Sequence, residues 1–248
     1  MKTNWTKDED SLLIDNYGKM RPEDMFSIIG RNRNAIYARA QKLGLKSNQS
    51  RIYFCNDDFF GTINNSSAYF AGLLAADGNV CNDRFRIELS DKELVLSLKE
   101  TIGYSGEIYK KNRNGFKTLY GIGITSKQCV LDLDKYWNIT PRKSLTLQPP
   151  TGLTEEQELA YIIGYIDGDG SIYINNRNQL YFMCCGSHPV IEWMSQKFNR
   201  KMRQNGKTDT NFRIEAKCGP ALEILKELYK VDTPIKLSRK WNKVKEMI

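Results

Sequence analysis

One eleven-residue pattern occurs twice in this chain, ninety-two positions apart. Ala68-Tyr69-Phe70-Ala71-Gly72-Leu73-Leu74-Ala75-Ala76-Asp77-Gly78 returns as Ala160-Tyr161-Ile162-Ile163-Gly164-Tyr165-Ile166-Asp167-Gly168-Asp169-Gly170. Each copy is an apolar segment that stops at an acid and a glycine. A second echo, Thr140-Pro141-Arg142-Lys143 against Thr233-Pro234-Ile235-Lys236, shows that whole units are duplicated. Such a chain is expected to fold into a pseudo-symmetric body that brings two equivalent carboxylates together. Small residues recur at i, i+4 and i+8 in both copies: Ala68, Gly72, Ala76 and Ala160, Gly164, Gly168. A ridge of this kind lets two helix backbones approach closely. A glycine inside a helix costs about 1 kcal/mol relative to alanine, so its recurrence calls for a packing reason. The pattern predicts that the two repeated helices pack on each other; the alternative is that each packs on its own sheet.

The units themselves read as mixed helix and strand. After the first repeated helix comes a hairpin over Asn79 to Leu89, in which Arg84, Arg86 and Glu88 alternate with Phe85, Ile87 and Leu89. Ser90 to Glu93 is expected to cap the next helix. Strands over Glu107 to Lys111 and Thr118 to Thr125 flank an Asn-Arg-Asn-Gly turn, and a helix covers Gln128 to Trp137. Pro149-Pro150-Thr151-Gly152 is a stiff joint. The second unit follows the same plan, with a shorter stretch between its outer helices. It holds a hairpin over Ser171 to Cys185, a helix from His188, a strand over Asn211 to Lys217, and a helix from Pro220 to Tyr229. The fold class is α+β: two αββαββα units, 66–150 and 151–248, preceded by a small three-helix domain over 1–47 and a linker over 48–65.

The chain carries 37 Lys+Arg against 29 Asp+Glu, a net charge of +8, which points to a polyanionic partner. No apolar run reaches membrane-span length and the start lacks a signal-peptide core, so no membrane partner is expected. The six cysteines form no C-x-x-C pair, and their scatter fits an intracellular setting. In the front segment, Thr6 and Glu9 make a capping box. From Ile29 to Phe54 there is no acid, while Arg31, Arg33, Arg39, Lys42, Lys46 and Arg51 are basic. A basic third helix after a tight turn is the layout of helix-turn-helix proteins; the alternative is a solvated basic helix in a small bundle. Trp5-Thr6-x-Asp8-Glu9 followed by paired leucines resembles the opening of Myb/SANT-like modules, although the later tryptophans of that pattern are missing. If this segment reads DNA, Arg33, Asn34, Tyr37 and Gln41 are candidates for the groove, and Arg31, Arg39 and Lys42 for phosphates. On the strands and turns of the units, Arg84, Arg86, Lys111, Arg113, Asn175, Arg177, Gln179, Arg213 and Lys217 are further DNA-contact candidates, against the reading of an ordinary solvated sheet face.

Asp77 and Asp169 end the repeated helices. Carboxylates there face the negative end of the helix dipole and, brought together, repel each other. A divalent cation between them would resolve both problems. Oxygen ligands suit Mg²⁺, which can promote phosphodiester cleavage. Gly78 and Gly170 are expected to supply a left-handed turn that ends each helix.

The two segments Phe70 to Gly78 and Ile162 to Gly170 resemble the paired nine-residue motifs of LAGLIDADG homing endonucleases, and the unit plan resembles that family's over about residues 62 to 248. The resemblance implies a single-chain, monomeric pseudo-dimer that cuts both strands of a long, roughly pseudo-palindromic DNA site with Mg²⁺ or another divalent cation such as Mn²⁺. It places the metal-binding acids at Asp77 and Asp169, with the carbonyls of Ala76 and Gly168 beside them. It also implies a basic residue near each metal, for which Lys143 and Lys236 match internally, with Lys240 as an alternative to Lys236; the other role open to each is a phosphate contact. The sixth motif position departs from symmetry, with Asp167 in one copy and Ala75 in the other; a structural role is expected there. A non-cleaving DNA-binding regulator or an RNA splicing helper on the same fold is the alternative function.

Overall fold

The computed structural model describes residues 4–17, 22–45, 53–112, 114–143, 146–206 and 210–247. The chain divides into two compact units, Met1–Phe54 and Cys55–Ile248. The first holds helices α1 (Lys7–Asn16), α2 (Pro22–Ile29) and α3 (Arg33–Lys42). The Thr6 side chain accepts from Glu9 N while the Glu9 carboxylate accepts from Thr6 N, closing the expected box. Asn32 caps α3 by accepting from Ala35 N, and Gly44 follows it at φ +66°, a left-handed position that glycine takes without strain. Leu13, Met25, Ile29, Ile36 and Ala40 form the core of this unit.

The second unit runs α4 (Asn65–Asp77), β1 (Gly78–Cys81), β2 (Arg84–Leu89), α5 (Lys92–Thr101), β3 (Tyr109–Lys111), β4 (Leu119–Thr125) and α6 (Lys127–Trp137). It then repeats as α7 (Glu155–Asp169), β5 (Gly170–Ile174), β6 (Leu180–Gly186), α8 (His188–Lys197), β7 (Arg203–Gln204), β8 (Phe212–Lys217) and α9 (Gly219–Lys230), followed by α10 (Ser238–Lys245). Two four-stranded antiparallel sheets result, in the orders β1-β2-β4-β3 and β5-β6-β8-β7. This is an α+β fold of two αββαββα units. The hairpins correspond across the repeat in that the glycine after each helix pairs at the mouth, Gly78 with Ile87 and Gly170 with Cys184, although the second hairpin is the longer.

In β2, Phe85, Ile87 and Leu89 are buried while Arg84 and Arg86 face solvent; in β8, Ile214 and Ala216 are buried while Glu215 and Lys217 are exposed. The period-two pattern thus sorts each sheet into a helix-packed face and an open one. Helices α5 and α6 cover the first sheet, and α8 and α9 the second.

Several expectations differ from the structure. Much of the stretch expected as a linker, 48–65, belongs to the second unit. Phe59 and Phe60 are buried in its core, the Trp137 Nε1–H donates to Phe60 O at 2.8 Å, and Asn64 caps α4. Two aromatic rings offer enough apolar surface to dock a short polar segment. Asp91 does not cap α5; its carboxylate takes a bidentate pair from Arg239 at 2.8 and 2.9 Å. Gly78 and Gly170 are extended, not left-handed, at φ −77° and −85°. Their glycine identity answers to space: a Cβ at Gly78 would lie 2.5 Å from Leu74 O, and one at Gly170 2.7 Å from Ile166 O. Strand β7 is only two polar residues long, and α10 lies beyond the last element read from the pattern.

Candidate active site

Helices α4 and α7 pack directly on each other, and the small-residue ridge explains how. A Cβ on Gly72 would sit 1.9 Å from Tyr161 O, and one on Gly164 would sit 1.8 Å from Tyr69 O. At each crossing point backbone meets backbone, leaving no room for a methyl group. A Cβ on Gly168 would lie 2.5 Å from the Ala76 Cβ and 3.0 Å from Asp77 Oδ2, so the two C-terminal ends abut as well. The repeat therefore delivers Asp77 and Asp169 to one place.

The electrostatics follow from that proximity. Asp169 is raised from 3.8 to about 6, by desolvation first and then by the charge of Asp77. Desolvation also raises Asp77, against the pull of Lys240 and Lys143. Both aspartates are open to solvent. The two lysines are buried, and burial lowers the pKa of each. Lys143 Nζ donates to Ala76 O at 3.3 Å. Lys240 Nζ donates to Ile166 O at 2.7 Å, Asp167 O at 2.9 Å and Gly168 O at 3.2 Å. Each cation thus sits on the negative end of one repeated helix. A cavity of about 300 Å³ lies beside Lys143, and its lining includes Ala76, Tyr165, Asp169, Cys185 and Asn211.

Which residues suit a divalent cation follows from these contacts. Asp77 and Asp169 offer carboxylate oxygens, and the carbonyls of Ala76 and Gly168 retain a second lone pair beside the lysine bond. This is an all-oxygen donor set, of the kind that Mg²⁺ prefers. The elevation of Asp169 by the charge of Asp77 marks negative charge that a cation would relieve.

Lys236, the internal match to Lys143, does not join this group. Its Nζ donates to Val231 O and to Thr233 Oγ1 at 3.2 Å and lies 5.6 Å from the Tyr229 ring centre. Lys240, the alternative, occupies the place opposite Lys143. The echo in sequence matched the turn, but the second unit reaches its helix end from α10, four residues further on. Leu237, Trp241 and Val244 fall at i, i+4 and i+7 and are all buried, a helical signal that could have revealed α10.

The sixth motif position is asymmetric in a way only the structure shows. Asp167 is buried and its carboxylate accepts from the Tyr69 hydroxyl at 2.7 Å, Trp241 Nε1 at 2.7 Å and Leu237 N at 3.0 Å. It ties α7 to α4 and to the start of α10. The partner of Tyr69 in the repeat is Tyr161, whose counterpart acceptor would be Ala75. The Tyr161 hydroxyl is buried with no hydrogen-bond partner among the described residues.

The candidate DNA contacts divide. Arg31 and Arg39, expected on phosphates, are held inside the front unit. Arg31 binds the Glu9 carboxylate at 2.8 and 3.0 Å and lies over the Trp5 ring, and Arg39 Nε donates to Asp10 at 2.7 Å. Arg33, Asn34, Tyr37, Gln41 and Lys42 are exposed on α3. In the second unit Arg84, Arg86, Arg177 and Lys217 are exposed. Lys111 is exposed but pairs with Glu88 at 3.3 Å. Asn175 and Gln179 mainly brace their own turn, with Asn175 Nδ2 donating to Gln179 Oε1 at 3.0 Å. Arg213 is half-buried and donates to Asn205 Oδ1 at 3.3 Å. Arg113 lies outside the described residues. Among the described residues no helix is long and apolar enough to cross a membrane.

Residues 64–138 match the family described as LAGLIDADG-like domain. No curated protein matches the chain. Among solved structures, the chain is similar to the I-LtrWI LAGLIDADG homing endonuclease bound to target DNA, at 13% identity and a TM-score of 0.48, over 77% of this chain and 90% of that one. It is similar to the LAGLIDADG meganuclease I-AabMI bound to uncleaved DNA, at 12% identity and a TM-score of 0.49, over 75% and 90%. It is also similar to the LAGLIDADG homing endonuclease I-GzeII in complex with a DNA target, at 14% identity and a TM-score of 0.45, over 74% and 84%.

Proposed function

We propose that this chain is a site-specific double-strand DNA endonuclease of the LAGLIDADG homing type. The observation that carries this reading is the meeting of two carboxylates and two buried lysines at the abutting ends of α4 and α7. A pure DNA binder has no use for crowded carboxylates at helix C-termini, where dipole and mutual repulsion both oppose them. Asp77 and Asp169, with the carbonyls of Ala76 and Gly168, would hold divalent cations. Such a cation, when bound, supplies an activated water and charge stabilisation at the leaving oxygen. Lys143 and Lys240, at lowered pKa, hold positive charge beside the point where the phosphate would sit and could give a proton to the leaving oxygen. The two-fold arrangement of the site suits the two strands of a duplex.

Arg84 and Arg86 on one open sheet face and Lys217 on the other would read or hold the duplex, with Arg177 reaching from the β5–β6 turn. The front unit would act as a helix-turn-helix, with Arg33, Asn34, Tyr37 and Gln41 toward the groove and Lys42 toward phosphate. The protein works as a monomer on a long, roughly pseudo-palindromic site, because one chain carries both halves of the acid pair.

The direct test is incubation with a genomic or random DNA library and Mg²⁺, followed by sequencing of the cut ends. Recurrent ends within one long sequence are expected; intact DNA across Mg²⁺ and Mn²⁺ overturns the reading. On the site so found, Asp77→Asn or Asp169→Asn should slow cutting on the order of 10³-fold, ~4 kcal/mol in the barrier, with binding retained. Deleting residues 1–47 should weaken binding and flatten its salt dependence, because phosphate contacts release counterions; an unchanged slope removes the front unit from the interface.

A further inference from the structure

The two lysines reach the site by different routes. Lys143 lies in a turn, after Arg142 at φ +62°, and its own carbonyl accepts from Thr146 N and Leu147 N. Lys240 instead rides on α10, a helix of eight residues with a buried Trp241 and Val244. The start of α10 is held from two sides. From its own half, Asp167 takes Leu237 N and Trp241 Nε1. From the opposite half, Glu93 accepts from Ser238 N at 3.1 Å and Ser238 Oγ at 2.8 Å, and Asp91 takes Arg239 through both of its oxygens. Asp91 and Glu93 sit at the start of α5 in the first repeat, and Ser238 and Arg239 immediately precede Lys240 in the second. A carboxylate on the first N–H of a helix suits the dipole, and a bidentate arginine pair fixes orientation as well as distance.

We infer that Asp91 and Glu93 are positioning residues: from the first repeat they seat α10, and so set Lys240 over the Gly168 end of the site in the second. This deepens the nuclease reading and rests on it. Loosening the clamp displaces Lys240 and leaves Lys143 in place, so the two strands of one duplex should be affected unequally. Arg239 and Ser238 are exposed, and a solvent-accessible ion pair contributes little to stability. The variants should therefore fold, and a change in strand preference would report on the site.

The test is single-turnover cleavage of the cognate duplex with a different fluorophore on each strand, for the full chain and for Asp91→Ala combined with Glu93→Ala. The double variant should slow one strand by roughly 10–100-fold and leave the other within about twofold, as expected for displacement of a catalytic group by a fraction of an ångström to about 1 Å. Nicked plasmid, always open in the same strand, should accumulate. Lys240→Met should slow that same strand and Lys143→Met the other. Where either lysine variant fails to fold, the strand bias of the double variant and its loss in Asp91→Glu, which keeps the carboxylate, decide the matter. Equal slowing of both strands, or no slowing, overturns the inference while the nuclease reading stands. A full chain that cuts no DNA overturns both.

Discussion

The two repeats answer the same packing problem with different chemistry. In the second, Asp167 gathers a tyrosine hydroxyl, an indole N–H and a backbone N–H, so α7 is tied to α4 and to α10 at one buried point. In the first, Ala75 stands at that position and the Tyr161 hydroxyl is buried without a partner among the described residues. The symmetry is kept at the glycine crossings and where the acids meet, and it is relaxed two residues before each acid. The glycine crossings have no room for a side chain, whereas a buried anchor can be lost if other packing holds. Here the stacked Trp137 ring, 6.3 Å from Tyr161 centre to centre, supplies some of that packing in the first half.

The comparison is most severely tested at the point where the halves are alike. Gly72→Ala and Gly164→Ala each force a methyl group into a backbone carbonyl, so each should cost at least about 3 kcal/mol and both should cost similar amounts. Chemical denaturation measures this; a large difference between the two would break the pseudo-symmetry of the interface. Next in size is the anchored tyrosine. Tyr69→Phe removes a hydrogen bond to a buried carboxylate and should cost about 2 kcal/mol, a fall in Tm of about 5 °C for a domain of this size.

A smaller effect follows the acids. Asp169 has a folded-state value of about 6 against an ordinary 3.8, so its contribution to stability is complete below about pH 4 and is lost as the pH rises through 6. In a chelator, Asp169→Asn should therefore gain stability relative to the parent as the pH is raised from 4 to 7.5. Mg²⁺ should reverse that ranking at pH 7.5 by binding the folded parent. Thermal melts across pH with and without the ion check both halves of the statement; a ranking independent of pH would remove the charge crowding at the site. Smallest is Tyr161→Phe. The hydroxyl it deletes has no partner among the described residues, so stability should hold or rise by up to about 1 kcal/mol. A loss like that of Tyr69→Phe would mean that the two halves are anchored alike after all.

Much of this was legible in the chain before folding. The period-two alternation of Arg84 to Leu89 specified which strand face turns inward, and the glycine ridge specified that α4 and α7 meet, because both depend on regular geometry that local sequence dictates. Three kinds of residue make contacts that the local pattern does not announce, each for a tertiary reason. Gly78 and Gly170 signalled a turn, but what demands glycine there is the carbonyl one turn back. Arg31 and Arg39 are basic residues on a basic segment, and the fold binds them to Glu9 and Asp10 in α1. Lys236 echoed Lys143 in sequence, yet α10 carries Lys240 to the helix end instead.

By itself, then, the sequence determined the duplication, the paired helices and the convergence of Asp77 with Asp169, because a backbone crossing with no room for a Cβ leaves the following acids nowhere else to go. Only the tertiary structure decided which lysine completes the second half and which half keeps a buried anchor. Those choices depend on contacts between segments some seventy to one hundred and fifty residues apart, such as Asp167 with Leu237 and Asp91 with Arg239, whose distances no local pattern encodes.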